Sequence, residues 1–235
     1  MKKALFVPIV LPLLLAGCSW EKHSIGKEEF IVALQALKTS ITQGGEAYDN
    51  IRLTREGLFP NDYQFKRGEF YAYRNIGLAL IIPINRQNYT WREGDHFYQA
   101  QVSTLDNLTW FKEISESAFN AAMEENFRTI QNMLLDYTRE VDERLQVPVS
   151  DRFTSISNSY FKENNGRYKI ESDARESVND QSSEEENNFS IWFDTERLHG
   201  SYHKQNSSET TWHITYGDAQ FTRPSDARWS NSSQE

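Results

Sequence analysis

Hydrophobic residues recur at helical spacing in two segments of the chain. In residues 27–42 the apolar positions lie three and four apart and predict a helix with one buried face: Phe30, Ala33, Leu34, Leu37 and Ile41. A longer pattern predicts a second helix that begins between Asp106 and Ser117 and ends before Pro148. Its apolar positions are Phe119, Met123, Phe127, Ile130, Leu134, Tyr137, Val141 and Leu145. We expect both helices to pack on a core; the alternatives are a bilayer surface for the first and a coiled-coil partner for the second.

The remaining apolar runs predict strands. Residues 76–82 form a continuous run that ends at Pro83 and predicts a buried strand, paired in a hairpin with residues 97–104. After the long helix, strands are predicted at residues 153–161, 167–171, 189–194, 200–204 and 211–216, with an Asn-Gly turn at residues 164–166. Residues 46–68 are predicted to be irregular, and residues 173–188 to form a polar, acidic loop.

This order of elements predicts the α+β class, with a mostly antiparallel sheet, an N-terminal helix and one long central helix. We expect a single globular domain over residues 27–222. Residues 18–26 are predicted to be a tether, and residues 223–235 a disordered tail.

The N-terminus has the pattern of an export signal. Lys2 and Lys3 precede an apolar run over residues 4–15, which is too short to span a bilayer as a helix. Small residues then lead directly into Cys18, the only cysteine of the protein. Residues 1–17 are therefore predicted to be a signal peptide.

The four residues Leu15-Ala16-Gly17-Cys18 resemble the lipobox of bacterial lipoproteins. The resemblance implies cleavage between Gly17 and Cys18, attachment of diacylglycerol to the thiol, and acylation of the new amino group by a fatty acid such as palmitate. Two or more acyl chains anchor a protein stably without a spanning helix. In that family an Asp after the cysteine retains the protein in the inner membrane, so Ser19 implies the outer membrane, with the domain facing the periplasm. The alternative is an ordinary signal peptide with a chance cysteine.

A second resemblance concerns residues 73–83. Gly77 opens an apolar run that ends at Pro83, and Trp91 follows soon after. This stretch resembles the opening hairpin of PsbP-like domains. The resemblance implies a small α/β sandwich and assigns no catalytic residue.

Charge and composition exclude some functions. Two of the 25 basic residues lie in the signal, which leaves 23 against 34 acidic residues and a net charge of −11. An acidic surface argues against nucleic acid as a partner. With Cys18 lipidated no thiol remains for disulfides or thiol catalysis, so stability must come from a core to which 14 Phe, 11 Tyr and 6 Trp contribute.

The chain carries none of the common catalytic or phosphate-binding motifs, and we predict neither a metal nor a cofactor. His203 and His213 lie on neighbouring predicted strands. One interpretation is that the two side chains form a two-histidine site, and the other is that each lies on a solvated polar strand face.

Aromatic residues are concentrated in residues 70–111. They predict either an exposed platform for a glycan or protein partner, or two packed faces of a hairpin under the long helix. The platform candidates are Tyr71, Tyr73, Trp91, Tyr98 and Trp110.

Together these observations predict an outer-membrane-anchored, non-enzymatic lipoprotein that binds a protein or cell-envelope component in the periplasm. The alternative is an immunity or inhibitor lipoprotein against a basic toxin or hydrolase, with the acidic run Glu184-Glu185-Glu186 steering the encounter. An envelope hydrolase is a further alternative, for which no site geometry is visible in the sequence.

Overall fold

Twelve strands of the described residues form one antiparallel sheet. The computed structural model describes residues 22–57, 60–79, 82–103, 109–146, 153–177 and 184–223. The strands are β1 (Lys22–Ser24), β2 (Asn50–Glu56), β3 (Asn61–Lys66), β4 (Phe70–Ala79), β5 (Ile82–Glu93), β6 (His96–Ser103), β7 (Thr109–Ile114), β8 (Phe153–Glu163), β9 (Tyr168–Ser177), β10 (Glu184–Phe193), β11 (Leu198–Gln205) and β12 (Ser208–Tyr216). The helices are α1 (Lys27–Gln43) and α2 (Glu116–Leu145), with a short 3₁₀ turn at Glu46–Tyr48.

The sheet consists of two consecutive meanders. Strands β2 to β7 pair in sequence order, and so do β8 to β12. The two meanders join where β12 pairs with β2, with Ile214 opposite Leu53. Strand β1 pairs with β8 at one end of the strand order, and β7 lies at the other end.

Both predicted helices are confirmed, and local sequence explains their ends. Helix α1 follows Gly26, has acidic residues in its first turn, and ends at Gly44 in the left-handed conformation (φ 59°). Helix α2 begins after Ser115, whose Oγ accepts a hydrogen bond from the backbone N–H of Ala118 at 3.2 Å. Tertiary contacts add to these local signals at the C-terminal end of α2, where Asn158 donates to the backbone oxygen of Arg144 and Lys27 to that of Leu145.

The two helices lie on the same face of the sheet, here called the inner face. Gln131 of α2 donates to the backbone oxygen of Ile41 in α1 at 2.8 Å, and Lys38 of α1 pairs with Asp142 of α2 at 2.5 Å. The apolar faces of both helices are buried against inner-face side chains such as Ile51, Phe65 and Ile191. The prediction that both helices pack on the core is therefore confirmed.

The predicted α+β class is wrong, because one antiparallel sheet of 12 strands dominates the fold in the described residues, where it is joined by two α-helices. Residues 46–68, predicted to be irregular, contain β2 and β3. In these strands buried apolar residues alternate with polar ones, as Ile51 and Leu53 alternate with Arg52. Turn residues around Gly57 and Pro60 masked that period-two signal in the sequence.

The predicted hairpin between residues 76–82 and 97–104 is also wrong, because β6 pairs with residues 86–93 of β5 instead. The apolar run 76–82 is not one strand, since β4 ends at Ala79 and β5 begins at Ile82, with Pro83 opposite Leu78. The polar residues that follow continue β5 as far as Glu93. The stretch that resembles PsbP-like domains thus lies within the β4–β5 hairpin.

The predicted acidic loop lies partly in strands. Residues 173–177 belong to β9 and residues 184–188 to β10, where Glu185 pairs with Glu176 across the ladder. The acidic run therefore opens a paired strand. Residues 178–183 lie outside the described residues.

The lipobox, which includes Gly17 and Cys18, lies outside the described residues. Residues 224–235, which make up nearly all of the predicted tail, also lie outside them. The last part of the predicted tether forms β1, which leaves three residues between Cys18 and Lys22. In the described ranges, no helix combines the length and the apolarity that crossing a bilayer requires.

Candidate functional site

The five residues predicted as an aromatic platform lie on two different faces of the sheet. Tyr71 and Tyr73 belong to the inner-face core, and Tyr71 is 6% exposed. Trp91 and Tyr98 belong to a second cluster on the opposite face, here called the outer face. Trp110, on β7, is 38% exposed.

These residues do not form a single exposed surface, so the platform interpretation is wrong and the alternative of packed faces is the one that their burial supports. Side chains alternate between faces along a strand, and β4 contributes one set of aromatics to each face. Apart from the exposed Trp110, the aromatic density in the sequence reflected two packed layers on the two sides of strands β4 to β6.

The outer-face cluster is covered by the C-terminal strap, defined as residues 217–223. The backbone N–H of Ala219 donates to Asn50 Oδ1, and that of Gln220 donates to Gln64 Oε1, both at 2.9 Å. These bonds hold Phe221 against Trp91, with ring centroids 5.6 Å apart. Trp91 is consequently only 1% exposed.

His203 and His213 lie on paired strands but point to opposite faces. In the β11–β12 register His203 is opposite Thr210, and Gly200 is opposite His213. The His203 ring lies 2.9 Å from Asn187 Oδ1 on the inner face. The register therefore rules out the two-histidine site. The described part of the chain holds no group of three or more His, Cys, Asp or Glu side chains that could bind a metal ion.

A buried polar network lies where α2 ends against β9 and β10. The Arg144 side chain is 0% exposed and pairs with Glu140 at 2.7 Å. Its guanidinium also donates to Ser172 Oγ at 3.2 Å and lies 4.9 Å from the centroid of the Phe189 ring. Asn187 in turn donates to Glu176 at 2.8 Å. The network connects helix to sheet inside the core, so we assign it a structural role.

The outer face of β8–β12 carries a groove that no other described element covers. Part of it has a volume of about 400 Å³ and another part about 380 Å³, and both parts are lined by Asp173 and Asn188. The first part is also lined by Lys169, Glu171, Ser190, Trp192 and Tyr202, and the second by Ser155, Ser157, Arg175 and Glu186. We call the two parts together the Trp192 groove.

Trp192 is held by the glycine beneath it. Gly200 is its cross-strand neighbour on β11, and a Cβ atom at Gly200 would lie 2.2 Å from Trp192 Cζ2. The indole therefore lies directly across the Gly200 backbone. The ring of His213 stands beside it, with centroids 6.5 Å apart at 60°. Trp192 remains partly exposed, because these contacts leave part of the ring open to the groove.

The lining of the groove carries a small excess of negative charge. Its basic residues are Lys169 and Arg175 and its acidic residues are Glu171, Asp173 and Glu186, while Lys22 approaches from β1 to pair with Glu171. Glu171 accepts hydrogen bonds from Lys22 Nζ at 2.9 Å and Lys169 Nζ at 2.6 Å. Burial alone would raise the pKa of Glu171, but these two lysines outweigh it and lower the pKa below its usual range. Burial and the nearby Glu209 raise the pKa of Tyr202, whose hydroxyl stays protonated at neutral pH.

Sequence reasoning missed this site. Trp192 and Tyr202 lie in segments correctly predicted as strands, yet their shared face becomes visible only with the register of β10 and β11. One signal was present in the sequence, since Gly200 interrupts a strand pattern, and a glycine there often marks close approach of another group.

Comparisons with known proteins define neither a family nor a function. No family model matches the chain, and no curated protein matches it. Among solved structures, the chain aligns with the DNA polymerase sliding clamp from Pseudomonas aeruginosa crystallised with a ligand, at 11% identity and a TM-score of 0.18. The alignment covers 86% of this chain and 66% of the clamp chain. A TM-score this low carries no argument about fold or function.

Proposed function

We propose that this protein is a bacterial lipoprotein, anchored through Cys18 in the outer membrane, that binds a component of the cell envelope in the periplasm without catalysing a reaction. The observation that carries the proposal is the match of Leu15-Ala16-Gly17-Cys18 to a lipobox at the only cysteine of the chain. Ser19, rather than Asp, at the next position supports the outer membrane as the destination.

The distance from the anchor to the sheet supports a role close to the bilayer. Lys22 begins β1 only four positions after Cys18, a span of about 14 Å when the chain is extended. Strand β1 pairs with β8, and β10 follows two strands further on. At about 4.8 Å per strand, Trp192 lies about 14 Å across the sheet from the anchored strand. The Trp192 groove therefore belongs to the anchored side of the molecule.

The surface of the groove supports binding as the activity. It combines the partly exposed aromatic residues Trp192 and Tyr202 with hydroxyl, amide and charged side chains on an uncovered sheet face. Binding sites of this kind use an apolar surface for affinity and a few polar groups for specificity.

Metabolic labelling tests the anchor. Cells that express the full chain with radiolabelled palmitate are expected to label the wild type, and mass spectrometry of the mature N-terminus is expected to find acylated Cys18. Cys18→Ala should remain unlabelled and lose its membrane attachment. Ser19→Asp is the matched control, since it should be labelled equally but fractionate with the inner membrane. An intact, unmodified leader on the wild-type protein overturns the proposal.

Crosslinking tests the binding role. The lipidated protein, crosslinked in growing cells and purified, is expected to carry an envelope component in stoichiometric amounts. Recovery of the lipidated protein alone, at every crosslinker length tried, contradicts the binding role while leaving the anchor in place.

A further inference from the structure

We infer that β7 is an interface through which two copies of this chain pair as antiparallel strands, related by a two-fold axis that passes between Phe111 and the partner's Phe111. The inference goes beyond the proposed function, because it concerns another surface and needs neither the lipid anchor nor the Trp192 groove. In the described residues β7 (Thr109–Ile114) pairs with β6 and lies at one end of the strand order. No described strand pairs with its other side, so a further strand can add there.

The two ends of the strand order are protected differently. At the far end, β1 pairs with the last residues of β8, and a register shift between Phe153 and Ser155 interrupts the ladder of β8 with β9. Irregularities of this kind twist an exposed strand and discourage pairing with another chain. Strand β7 has no such device, since its ladder with β6 runs without a register shift from Thr109 to Ile114 and contains no proline. A regular strand at the end of a sheet is a template for another strand.

Strand β7 also carries an exposed tryptophan. Trp110 is 38% exposed, and among the large apolar side chains of the described residues only Val32 on α1 is more exposed. The indole N–H of Trp110 donates to Gln101 Oε1 at 2.9 Å, and Lys112 Nζ lies 5.3 Å from the ring centroid. The ring is thus held in place at the end of the sheet. An ordered, exposed tryptophan is typical of a protein interface.

The alternation of side chains determines which residues of β7 can meet across the axis. Ile114 packs against the inner-face core, so Lys112 and Trp110, two and four positions earlier, lie on the inner face as well. Phe111 is opposite Ala100 in the ladder and belongs with it to the outer-face cluster. A two-fold axis normal to the sheet pairs inner face with inner face, so a residue can be opposite only a residue of its own face.

Two registers align most of β7 with itself, one with Phe111 on the axis and one with Lys112 there. With Phe111 on the axis, Trp110 is opposite the partner's Lys112, and Lys112 is opposite the partner's Trp110. An ammonium group then meets an indole on both sides of the axis, and neither Lys112 nor Glu113 is opposite a charged residue. With Lys112 on the axis, two like charges would be directly opposite, which destabilises a strand pair. Charge therefore selects the register with Phe111 on the axis.

The outer face favours the same register. There the ring of Phe111 lies 5.2 Å from that of Tyr98 and 5.7 Å from that of Trp91, measured between centroids. With Phe111 opposite the partner's Phe111, this row of aromatic rings continues across the axis into the second copy. Aromatic pairs that face each other across antiparallel strands stabilise the pairing. Both faces of β7 are therefore complementary to themselves in one register.

Single cysteines test the register. The full-length protein with Cys18→Ala has no thiol, so one new cysteine gives an unambiguous signal. Phe111→Cys places two thiols opposite each other, where Cα atoms about 4.5–5.5 Å apart suit a disulfide. We expect it to form a disulfide-linked dimer on mild oxidation. Lys112→Cys is the matched control and should stay monomeric on a denaturing gel, because its two copies are offset by about 7 Å along the strands.

A second pair of variants tests the contact between Trp110 and Lys112. The full-length lipoprotein in detergent is expected to sediment as a dimer. Trp110→Lys puts a lysine opposite the partner's Lys112 and should raise the dissociation constant of the dimer about tenfold or more. Adding Lys112→Glu makes the opposed charges opposite in sign and should restore most of the loss. Val32→Lys, the same change at the exposed apolar residue of α1, should stay within about twofold of wild type.

The inference is overturned if the wild type sediments as a monomer at every concentration reached, if Trp110→Lys dimerises like wild type, or if Lys112→Cys forms the disulfide and Phe111→Cys does not. If Phe111→Cys does not fold, as judged by circular dichroism, a mixture of Trp110→Cys and Lys112→Cys decides, since it should crosslink where neither does alone. Crosslinking of β7 to a different protein also overturns the inference. The unlipidated Cys18→Ala form should dimerise as well, so a failure of the anchor leaves this interface standing, and a monomer leaves the anchor standing.

Discussion

Arg144 donates hydrogen bonds to both oxygens of Asn187, to the side-chain Oδ1 at 2.5 Å and to the backbone O at 3.2 Å. The two residues are 0–1% exposed, one on α2 and the other on β10. This pair, with Glu140 behind it, is a charged contact between helix and sheet inside the core. The guanidinium shares Asn187 Oδ1 with the ring of His203, which lies 2.9 Å from the same oxygen.

Replacing Arg144 with Met is expected to lower the free energy of unfolding by about 3 kcal/mol or more, because the partly buried carboxylate of Glu140 and the buried oxygens of Asn187 lose a charged donor. Urea denaturation followed by circular dichroism measures the change. Arg128→Met, on the same helix and paired with Glu124 at the surface, is the control and should cost less than about 0.5 kcal/mol. Equal losses in the two variants contradict the assignment of a structural network.

The C-terminal strap contributes measurable stability through Phe221. Phe221→Ala is expected to cost about 1–3 kcal/mol, since the ring is partly buried against Trp91 and Phe70. Because Trp91 then meets solvent, the tryptophan emission should also move to longer wavelength. Gln220→Ala keeps its backbone bond to Gln64 and should leave both quantities unchanged. An unshifted spectrum in Phe221→Ala means that the strap does not cover Trp91.

His199 makes stability depend on pH. Burial lowers the pKa of His199 below its ordinary value, and the hydrogen bond to Asp194 at 2.8 Å opposes this only in part. As the pH falls below about 6.5, the unfolded chain takes up a proton that the native state resists, so the free energy of unfolding falls. His199→Gln should therefore flatten the curve of stability against pH just below 6.5.

His96 provides a control of opposite sign. Its pKa is raised by the hydrogen bond with Glu113, so its stabilising effect is present at low pH and is lost as the pH rises through the folded-state pKa. His96→Gln should thus leave the fall in stability below pH 6.5 in place. A His199→Gln variant with the wild-type slope contradicts the assignment to that ring.

Gly200→Ala is expected to destabilise the fold by about 1–3 kcal/mol, because the new methyl group would clash with Trp192 and lie 2.5 Å from the backbone oxygen of Trp212. In the double variant Gly200→Ala/Trp192→Ala, the clash with the indole is removed and the backbone clash stays. The two substitutions should therefore cost less together than the sum of their separate effects. Thermal denaturation of the four proteins measures the coupling, and strict additivity contradicts contact between the two positions.

The helices were predictable from sequence because their signals are local. Helix α2 has apolar residues at spacings of three and four, a Ser115 cap and a proline beyond its end, and these features need no knowledge of the rest of the chain. The Asn-Gly turn between β8 and β9 is similar, since Gly166 adopts φ 87° as the turn requires.

The faces of the strands were not predictable, because they depend on register and on distant elements. Nothing local distinguishes Tyr71, buried under α2, from Trp91, buried under a strap 130 residues further on. The placement of Trp192 likewise required the pairing of β10 with β11. The cluster of aromatics at residues 70–111 left open whether these rings are exposed or packed, because density in sequence carries no information about exposure.

The junction of β12 with β2 has a consequence for how the protein reaches its native state. Leu53 and Ile214, which lie opposite each other in that ladder, are about 160 positions apart in the sequence. Strand β2 is therefore synthesised long before β12, with which it pairs. Contacts between residues so far apart in the sequence raise the contact order of the fold. The entropy lost in closing so large a loop slows folding. Until then β2 has an unpaired edge, and a newly made chain in this condition is a natural client for chaperones.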